Sequence, residues 1–337
     1  MNSHEIYDLA SSGTHENIPL DGKVIETHIS WVILSRHLAF KIKKPVRLSF
    51  LDFSTLALRR KYCWQELRLN KKWSNIYKTV SPVRKINNRS FIGGSKGRIA
   101  DYAVVMRRVD DRLKMDALLA NNKVSVKDVE RLAARLADVH SKAKKIGRPF
   151  SLKYARGLFN EIVNFAEVVG DLGDESFEGL IARSIIWSDR FLADHAGRFK
   201  ERIARGFQRE VHGDLHSGNI FIEDEPVIFD CIEFNDRYRQ IDILYEIAFL
   251  AMDIEAYGHP RLAAVLLREY KKRIKCIETR EDILIQKYFM CLRANVRAKV
   301  HLIQMMNADQ PTTARDHARE AARYLKLMDK YISDDFS

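Results

Sequence analysis

Alternating apolar and polar residues in the first third of the chain predict a small sheet. Residues 23–35 carry β-branched and aromatic residues on both sides of a turn at His28-Ile29, which indicates two short strands. Residues 80–86 and 100–109 have the same texture. They are predicted to pair, because the stretch 87–97 between them is rich in glycine and asparagine, as loops are. The first part of the chain is therefore predicted to be mainly sheet.

A third strand is predicted over residues 38–43. Its period of two places Phe40 and Ile42 on one face and Lys41 and Lys43 on the other. The strand therefore presents two lysines side by side on a single face.

Helical spacing appears after residue 54 and dominates the chain from residue 125 onwards. Ser54 is the predicted N-cap of a helix that runs from Thr55 to about Trp73. Ser125 is predicted to cap another helix, with Asp128 three residues later completing a capping box. Further helical patterns cover residues 152–169, 177–206 and about 239–334.

The order of these elements predicts an α+β protein with two lobes. Residues 1–109 form a small antiparallel-sheet lobe with one helix. Residues 110–337 form a larger, mainly helical lobe with a short embedded hairpin. The length of 337 residues fits two domains or one bilobed unit.

The composition is that of a globular protein. Apolar residues make up 46% of the chain and charged residues 30%, which allows a sizeable core and argues against disorder. No apolar run is long enough to span a membrane, and we expect no secretion signal at the amino terminus. The four cysteines are scattered and form no C-x-x-C pair, so reduced thiols and a cytoplasmic location are expected.

The positive charge is concentrated in one segment. The formal net charge is +12, and residues 35–112 alone hold 20 Lys/Arg and 5 Asp/Glu. Residues 113–337 are nearly neutral, with 36 basic and 35 acidic residues. A basic lobe beside a neutral one suggests an anionic partner for the first lobe.

Two neighbouring stretches carry the candidate chemistry, V-H-G-D-L-H-S-G-N-I at 211–220 and V-I-F-D at 227–230. Asp214 can take a proton from an attacking hydroxyl. Asn219 can hold a metal ion, and Asp230 can hold the same metal or a second one. Protein kinases use the same three groups for phosphoryl transfer: an aspartate and an asparagine of the catalytic loop and a later, metal-binding aspartate. A polar turn would explain Asp and Asn as turn residues, but it would explain neither the apolar flanks nor the later aspartate.

A basic side chain that holds phosphates is also predicted. Glu66 lies among apolar neighbours on the predicted helix and is one of five acidic residues in the basic segment. An unpaired, inward-facing glutamate would be costly, so Lys41 is predicted to pair with it and to contact the nucleotide phosphates. Lys43 shares the face of Lys41 and stays open as the alternative. Two solvated surface charges are the competing interpretation.

Taken together, the strand lysine, the helix glutamate, H-G-D-x-x-x-x-N and the later aspartate resemble the aminoglycoside phosphotransferase family. That family has the protein-kinase-like fold and includes choline-kinase-like and homoserine-kinase-like small-molecule kinases. The resemblance covers about residues 20–260. Four segments resemble an uncharacterised bacterial branch often fused to a P-loop kinase domain: T-H-I-S-W-V at 27–32, F-K-I-K-K-P-V at 40–46, F-L-D-F-S-T-L at 50–56 and Y-A-V-V-M-R-R at 102–108. The chain has no G-x-x-x-x-G-K-[ST] motif, so we expect that second domain to be absent.

The resemblance implies an ATP- and Mg²⁺-dependent phosphotransferase that acts on a hydroxyl of a small molecule. Asp214 would be the catalytic base or would orient the acceptor hydroxyl. Asn219 and Asp230 would bind magnesium. Lys41 would clamp the phosphates, with Glu66 as its partner.

Further roles follow from the same resemblance. Residues 1–109 would bind the nucleotide, and residues 110–337 would supply the catalytic loop and the acceptor site. His216 would either donate a hydrogen bond to the transferred phosphate or pack within the loop, and both alternatives stay open. His212 is expected to brace the loop through backbone bonds, and Asp242 matches a position that anchors the catalytic loop.

The chain departs from protein kinases in the loop over the phosphates, because it has no G-x-G-x-x-G between the first strands. Thr27, His28 and Ser30 occupy that turn, so their hydroxyls and backbone N–H groups would have to cover the phosphates. This leaves ATP and GTP both open. The connector near Met106-Arg107-Arg108-Val109 is expected to supply hinge backbone groups to the adenine.

The acceptor is predicted to be a small molecule. Eleven residues separate Asp230 from Asp242, which leaves no room for a long activation loop, and Gly213 replaces the arginine that often precedes the catalytic aspartate in protein kinases. Residues 151–210 hold 9 Lys/Arg and 10 Asp/Glu. An aminoglycoside is a polycation that needs an acidic pocket, so an antibiotic is not the expected native acceptor.

Two other functions stay open. Basic and aromatic residues interleave on the predicted helix 55–73, which would suit RNA or an acidic partner, although a solvated charged face over core aromatics explains the same pattern. Transfer of AMP with a flipped nucleotide is the other alternative. The usual order of Asp214, Asn219 and Asp230 favours phosphoryl transfer.

Overall fold

A computed structural model describes residues 1–48, 50–87 and 89–333 of the chain. Two compact units divide these residues. The first unit comprises Met1–Ala117 and Asn219–Arg239, and the second comprises Leu118–Gly218 and Gln240–Ser337. Asn88 of the predicted loop and residue 334 of the predicted helical stretch lie outside the described residues, as do residues 335–337 of the predicted second lobe.

The first unit is built around a sheet. Its elements are α1 (Ser3–Ser12), β1 (Thr14–His15), β2 (Ile18–Pro19), β3 (Lys23–Glu26), β4 (Ser30–Leu34), β5 (Leu38–Lys43), β6 (Arg47–Leu48), β7 (Leu51–Asp52), α2 (Leu56–Asn70), β8 (Tyr77–Ile86), β9 (Arg89–Ile92) and β10 (Arg98–Arg107). Eight of these strands form one sheet in the order β2-β1-β9-β8-β10-β5-β4-β3. All neighbours in this sheet are antiparallel except β1 and β9.

The strand β5 has the alternation that the sequence predicts. Phe40 and Ile42 are buried in one apolar cluster with residues of α1 and β4. The opposite face of the sheet carries Lys41 and Lys43, and α2 packs on the neighbouring strands β8 and β10. A strand of period two thereby brings both lysines within reach of one helix.

Three predictions for the first unit need correction. Thr55, not Ser54, is the N-cap of α2, since its hydroxyl accepts the Leu58 N–H at 3.2 Å. The predicted loop 87–97 contains strand β9, which pairs with β8 as a hairpin.

The third correction concerns the predicted single helix, because α1 is a second one. It begins with a capping box in which Asn2 and Glu5 exchange hydrogen bonds, and it buries Ile6 and Leu9 at helical spacing. Both signals are present in the sequence.

The middle of the chain is helical, with short 3₁₀ turns. Its elements are α3 (Met115–Ala120), α4 (Val126–Lys142), α5 (Leu152–Asn160), α6 (Ala166–Gly170), α7 (Leu180–Asp194), α8 (Ala196–Ala204) and β11 (Gln208–Glu210). The predicted capping box of Ser125 and Asp128 is present at the start of α4. The predicted helices 152–169 and 177–206 are each broken into shorter pieces, the first by a 3₁₀ turn over Glu161–Phe165 and the second at His195.

Asn219 and Asp230 adjoin a short hairpin, which belongs to the first unit together with the helix Asp236–Arg239, whereas Asp214 and the rest of this part of the chain belong to the second. The elements are β12 (Ile220–Phe221), β13 (Val227–Ile228), α9 (Asp236–Arg239), β14 (Gln240–Asp242), α10 (Ile243–Ala256), α11 (Pro260–Arg273), α12 (Arg280–Met306) and α13 (Pro311–Ser333). The chain is therefore an α+β protein with a largely antiparallel sheet unit and a mainly helical unit, as predicted. Among the helices that the structure describes, none is long and apolar enough to cross a membrane.

Candidate active site

Both lysines of β5 bind the same glutamate of α2. The Lys41 Nζ lies 3.0 Å from Glu66 Oε1, and the Lys43 Nζ lies 2.6 Å from Glu66 Oε2. The side chains of Lys43 and Glu66 are fully buried, whereas that of Lys41 is 11% exposed. The predicted ion pair between Lys41 and Glu66 is present. Lys43, the alternative partner, pairs with Glu66 as well, because each lysine contacts a different oxygen of the carboxylate.

Each lysine also contacts a second carboxylate, from the segment that follows β13. Lys41 pairs with Asp230 Oδ1, and Lys43 pairs with Glu233 Oε1. The cluster thus contains three carboxylates and two ammonium groups, which leaves one negative charge in excess. Asp230 carries the most accessible carboxylate, with 43% of its side chain exposed.

Electrostatics keep the Lys41–Glu66 pair ionised. Burial would raise the pKa of Glu66, but Lys41 and Lys43 outweigh it and hold that pKa at about 2. Burial would lower the pKa of Lys41, and the surrounding carboxylates, Asp230 first among them, raise it well above its usual value. Both partners of the ion pair are therefore charged at neutral pH.

The backbone at Asp230 is held in an unusual conformation. Its φ of 65° is left-handed, which costs a non-glycine residue free energy unless the surroundings stabilise it. The Asp230 N–H donates to the Tyr77 hydroxyl at 3.0 Å, and the Cys231 N–H donates to Asn70 Oδ1 at 2.9 Å. Two buried side chains of β8 and α2 thereby fix the direction of the aspartate.

The hairpin β12–β13 brings the two predicted metal ligands close together. Asn219 comes directly before β12, and its carbonyl accepts the Phe229 N–H at 3.1 Å. Asp230 is the next residue. Among the described residues, no group of three or more His, Cys, Asp or Glu could hold a metal ion. An amide and a carboxylate with one excess negative charge nevertheless suit magnesium, which takes few protein oxygens and completes its shell with phosphate and water.

The turn between β3 and β4 is closed by its own hydroxyl. Thr27 Oγ1 accepts the Ser30 N–H at 3.0 Å and donates to the Ser30 carbonyl at 3.0 Å. The Ser30 side chain is buried, whereas His28 is exposed at the tip of the turn. Contacts from Thr27 and Ser30 hydroxyls to a phosphate would require the turn to rearrange, so the predicted role of this turn rests on His28 and on backbone N–H groups.

The predicted hinge residues are part of the sheet. Met106 is 7% exposed. The Arg107 N–H donates to the Ile76 carbonyl at 2.8 Å, and the Arg108 N–H donates to the His37 carbonyl at 2.9 Å. Neither N–H group is available to an adenine in this structure. The Arg107 guanidinium binds Glu223 through two bonds of 2.9 and 2.6 Å, so the nucleotide role of Met106 and Arg107 stays a prediction.

In the second unit, a buried glutamate holds the loop that carries Asp214. Glu246 of α10 accepts the His212 N–H at 2.6 Å and the Gly213 N–H at 3.0 Å. Burial raises the pKa of Glu246 to about 7, against the opposing effects of Arg293 and the two N–H donors. The two residues before Asp214 are therefore fixed by a single carboxylate.

A second carboxylate of α10 holds the other end of this loop. Asp253 accepts the Ser217 N–H at 2.8 Å and the Ser217 hydroxyl at 2.5 Å, and the Tyr324 hydroxyl donates to it at 2.7 Å. Asp253 lies seven residues after Glu246, so both carboxylates are on one face of the helix, two turns apart.

The predicted loop anchor, Asp242, has a different task. Its carboxylate caps α10 through the Leu244 N–H at 2.8 Å, and it binds Arg202 at 2.7 and 2.9 Å. Anchoring of the loop by Asp242 is therefore wrong. An N-cap side chain accepts a hydrogen bond from the first turn of its own helix. The residues that hold the loop, Glu246 and Asp253, lie about one and three turns further along α10.

The ring of His216 has a defined tautomer. Its Nδ1 accepts the Gly218 N–H at 3.1 Å, which places the proton of the neutral ring on Nε2. That Nε2 lies 3.6 Å from Asp214 Oδ2. His212 braces the loop as predicted, since its Nδ1 accepts the Asp214 N–H at 3.3 Å. The geometry leaves both roles of His216 possible, because Nε2–H is a donor and the ring also packs against Phe249.

Asp214 is accessible and charged. Its side chain is 42% exposed. Burial would raise the pKa of the carboxyl, but His216 and Arg297 outweigh it and hold that pKa well below its usual range. Arg293 binds the Gly213 carbonyl at 3.2 Å from the other side of the loop. The carboxylate is thus ionised and stabilised by His216 and Arg297.

Sequence reasoning missed several of these supporting residues. Glu246 and Asp253 are detectable in hindsight, because they interrupt the otherwise apolar run of α10. Glu233 follows Asp230 in an otherwise apolar stretch and carries the same signal. Tyr77 and Asn70 carry no such signal in the sequence, because their hydrogen bonds are to backbone atoms of a distant segment.

A solvated charged face over core aromatics explains only part of the basic pattern at residues 55–73, because one of the aromatic side chains is buried and another is exposed. Trp73 is 2% exposed and belongs to the core, as that interpretation predicts. Trp64 is 49% exposed, and Arg60, Lys61 and Arg68 are exposed around it.

Comparisons with known proteins show the family of the chain. A family model described as the Phosphotransferase enzyme family matches residues 81–281. Two curated relatives are the uncharacterized proteins Rv2004c of Mycobacterium tuberculosis and Mb2027c of Mycobacterium bovis, each 30% identical over 301 residues. The match covers 88% of this chain and 57% of each relative, so the chain spans little more than half of their length.

One solved structure shows the same fold. A choline/ethanolamine kinase family protein from Mesorhizobium loti superposes with a TM-score of 0.51 at 12% identity. The superposition covers 99% of this chain and 98% of that chain.

Proposed function

We propose that this chain, which belongs to the Phosphotransferase enzyme family, transfers the γ-phosphoryl group of Mg²⁺-ATP to a hydroxyl of a small molecule. One observation carries the proposal. Lys41, Glu66 and Asp230, predicted separately as phosphate clamp, clamp partner and metal ligand, meet in a single cluster. A purely structural ion pair would not need a third, accessible carboxylate on a strained backbone.

Lys41 is the group that binds phosphate. It is the more exposed of the two lysines, and its second partner is Asp230. Phosphate oxygens would replace Asp230 as partner of Lys41, and magnesium would take the aspartate together with Asn219. Magnesium, when bound, neutralises charge on the phosphate oxygens during transfer.

Asp214 receives the acceptor hydroxyl. Its depressed pKa makes it a weak base, so its first task is to accept a hydrogen bond and aim the hydroxyl oxygen at the phosphorus. It takes the proton as the new oxygen–phosphorus bond forms and the bond to the leaving ADP breaks. Positioning of this kind supplies much of the catalysis in phosphoryl transfer. The Nε2–H of His216 is the proposed donor to a phosphate oxygen.

The acceptor is a small molecule in this proposal. The segment 231–241 is short and consists mostly of α9 and β14. It therefore contains no insertion that could hold a peptide. The balanced charge of residues 151–210 argues against a polycationic aminoglycoside.

A second candidate function is the binding of RNA through the basic face of α2. The exposed Trp64 of α2 favours RNA binding, because an arginine lies about one helical turn before it, at Arg60, and another about one turn after it, at Arg68. An exposed indole can stack on a base while the two cations contact phosphates. Salt-sensitive RNA binding that is lost in Trp64→Ala would support this role. RNA binding that persists in that variant would exclude the face.

The mass of the product tests the leading proposal. Wild-type protein is incubated with Mg²⁺-ATP and a mixture of hydroxyl-bearing metabolites, and the Asp214→Ala variant serves as the control. We expect a product heavier by one phosphate, with ADP released, in the wild-type sample alone. A product heavier by one AMP, with diphosphate released, would instead establish nucleotide transfer and overturn the proposal.

A further inference from the structure

We propose that Lys43 and Glu233 are positioning residues, which hold Glu66 and the Asp230 turn in place so that Lys41 can exchange its partners. The inference rests on the proposed function. It assigns the two lysines different tasks, with Lys43 as the permanent counter-ion of Glu66 and Lys41 as the exchangeable one.

The surroundings of Lys43 suit a permanent ion pair. Its side chain is fully buried, its Nζ binds Glu66 and Glu233, and the Phe53 ring lies 4.8 Å from it. No atom of this lysine is accessible to a nucleotide. Lys41 differs in its exposure and in its contact with the accessible Asp230.

The two oxygens of Glu66 explain why a second lysine is needed. When Lys41 turns to a phosphate, its bond to Glu66 Oε1 weakens, and an uncompensated buried carboxylate would resist that movement. Lys43 keeps Oε2 neutralised throughout. The buried carboxylate of Glu66 therefore keeps a cationic partner when Lys41 binds phosphate.

Glu233 extends the same support to the metal-binding turn. Its carboxylate is held by Lys43, and its backbone carbonyl accepts the Gln65 Nε2–H at 2.7 Å. The residue lies three positions after Asp230, whose left-handed backbone depends on fixed neighbours. β5 and α2 thereby hold one end of the turn, and Tyr77 holds the other.

Four variants separate positioning from structural support: Lys43→Met, Glu233→Gln, the double variant, and Lys44→Met as a matched control. Lys44 is the next residue, and its ion pair is with the exposed Glu26. Each protein is assayed for its melting temperature and, by calorimetry, for its affinities for Mg²⁺-ATP and for adenosine.

Lys43→Met leaves the buried Glu233 without its ion-pair partner and is expected to lower the melting temperature. Glu233→Gln keeps Lys43 paired with Glu66 and is expected to lower it less. The double variant removes both charges and should recover most of that loss. Its affinity for Mg²⁺-ATP should nevertheless stay about tenfold or more below wild type, because Glu66 then depends on Lys41 alone. Its affinity for adenosine, which carries no phosphate, and all values for Lys44→Met should match wild type.

Two outcomes would overturn the inference. If the double variant regains both its melting temperature and its Mg²⁺-ATP affinity, the pair is merely structural and the proposed function stands. If wild-type protein binds no Mg²⁺-ATP, the proposed function fails and the inference falls with it. The double variant decides the question even where a single variant does not fold.

Discussion

Replacing Asp214 by alanine is expected to lower kcat by about 10²–10⁴-fold and to leave the affinity for Mg²⁺-ATP close to that of wild type. The carboxylate is accessible and ionised, and its neighbours His216 and Arg297 stabilise that charge. Without it, nothing aims the acceptor hydroxyl or takes its proton. The predicted phosphate and metal groups are other residues and keep their contacts, so nucleotide binding survives.

The exposed Asp224 on the β12–β13 hairpin offers a matched control. Asp224→Ala makes the same chemical change outside the proposed site and should leave kcat unchanged. Steady-state kinetics at saturating ATP, with ATP affinity measured separately, check both variants. Full turnover in Asp214→Ala would remove this residue from the mechanism.

Replacing Glu246 by glutamine is expected to lower kcat about 10²-fold, although the residue lies behind the catalytic loop. The carboxylate accepts two backbone N–H groups, whereas an amide has one oxygen and presents its own N–H₂ to the second donor. One buried N–H is left without an acceptor, which costs about 1–3 kcal/mol of stability. The loop shifts, and Asp214 moves with it.

Titration of Glu246 predicts an unusual pH dependence. Burial raises its pKa to about 7 from the ordinary 4.5, so protonation favours the folded state. The contribution to the free energy of unfolding is therefore full below about pH 4.5 and is lost as the pH rises through about 7. The ionised form is the one that accepts both N–H groups, so kcat is expected to rise over the same range. Stability and activity then change in opposite directions.

A pH series of kcat and of urea unfolding checks this prediction in wild type and in Glu246→Gln. The variant has no group to titrate at this position and should lose the acid limb of kcat near pH 7. Glu255→Gln is the control, since Glu255 ends the same helix and accepts from Tyr331 at 2.7 Å. A wild-type profile that is flat between pH 5.5 and 8 would contradict the role of Glu246.

The parts of the site that lie close in sequence or on one periodic element were predictable. The alternation of β5 placed Lys41 and Lys43 on one face, and the costly position of Glu66 required a basic partner. The family resemblance, confirmed by the match over residues 81–281, supplied the roles. A local pattern is sufficient here because side-chain direction follows from the period of two.

The sharing of Glu66 by two lysines could not be predicted, because a sequence pattern assigns one partner at a time. The same limit explains Tyr77 and Asn70, which bond to backbone atoms of Asp230 and Cys231 more than 150 residues away. Asp242 was mistaken for a loop anchor because chain position alone does not separate a helix cap from a residue one turn later.

Thermal unfolding with ATP, with and without magnesium, tests the central claim most directly. It compares wild type with Asp230→Asn, and Asp224→Asn serves as the matched control. Ligand at about a hundred times its dissociation constant should add about 2.7 kcal/mol to the free energy of unfolding. We predict a magnesium-dependent rise in melting temperature for wild type and Asp224→Asn that Asp230→Asn loses. The absence of any rise in folded wild-type protein would contradict a nucleotide–metal site and would favour the basic face of α2 as the functional surface.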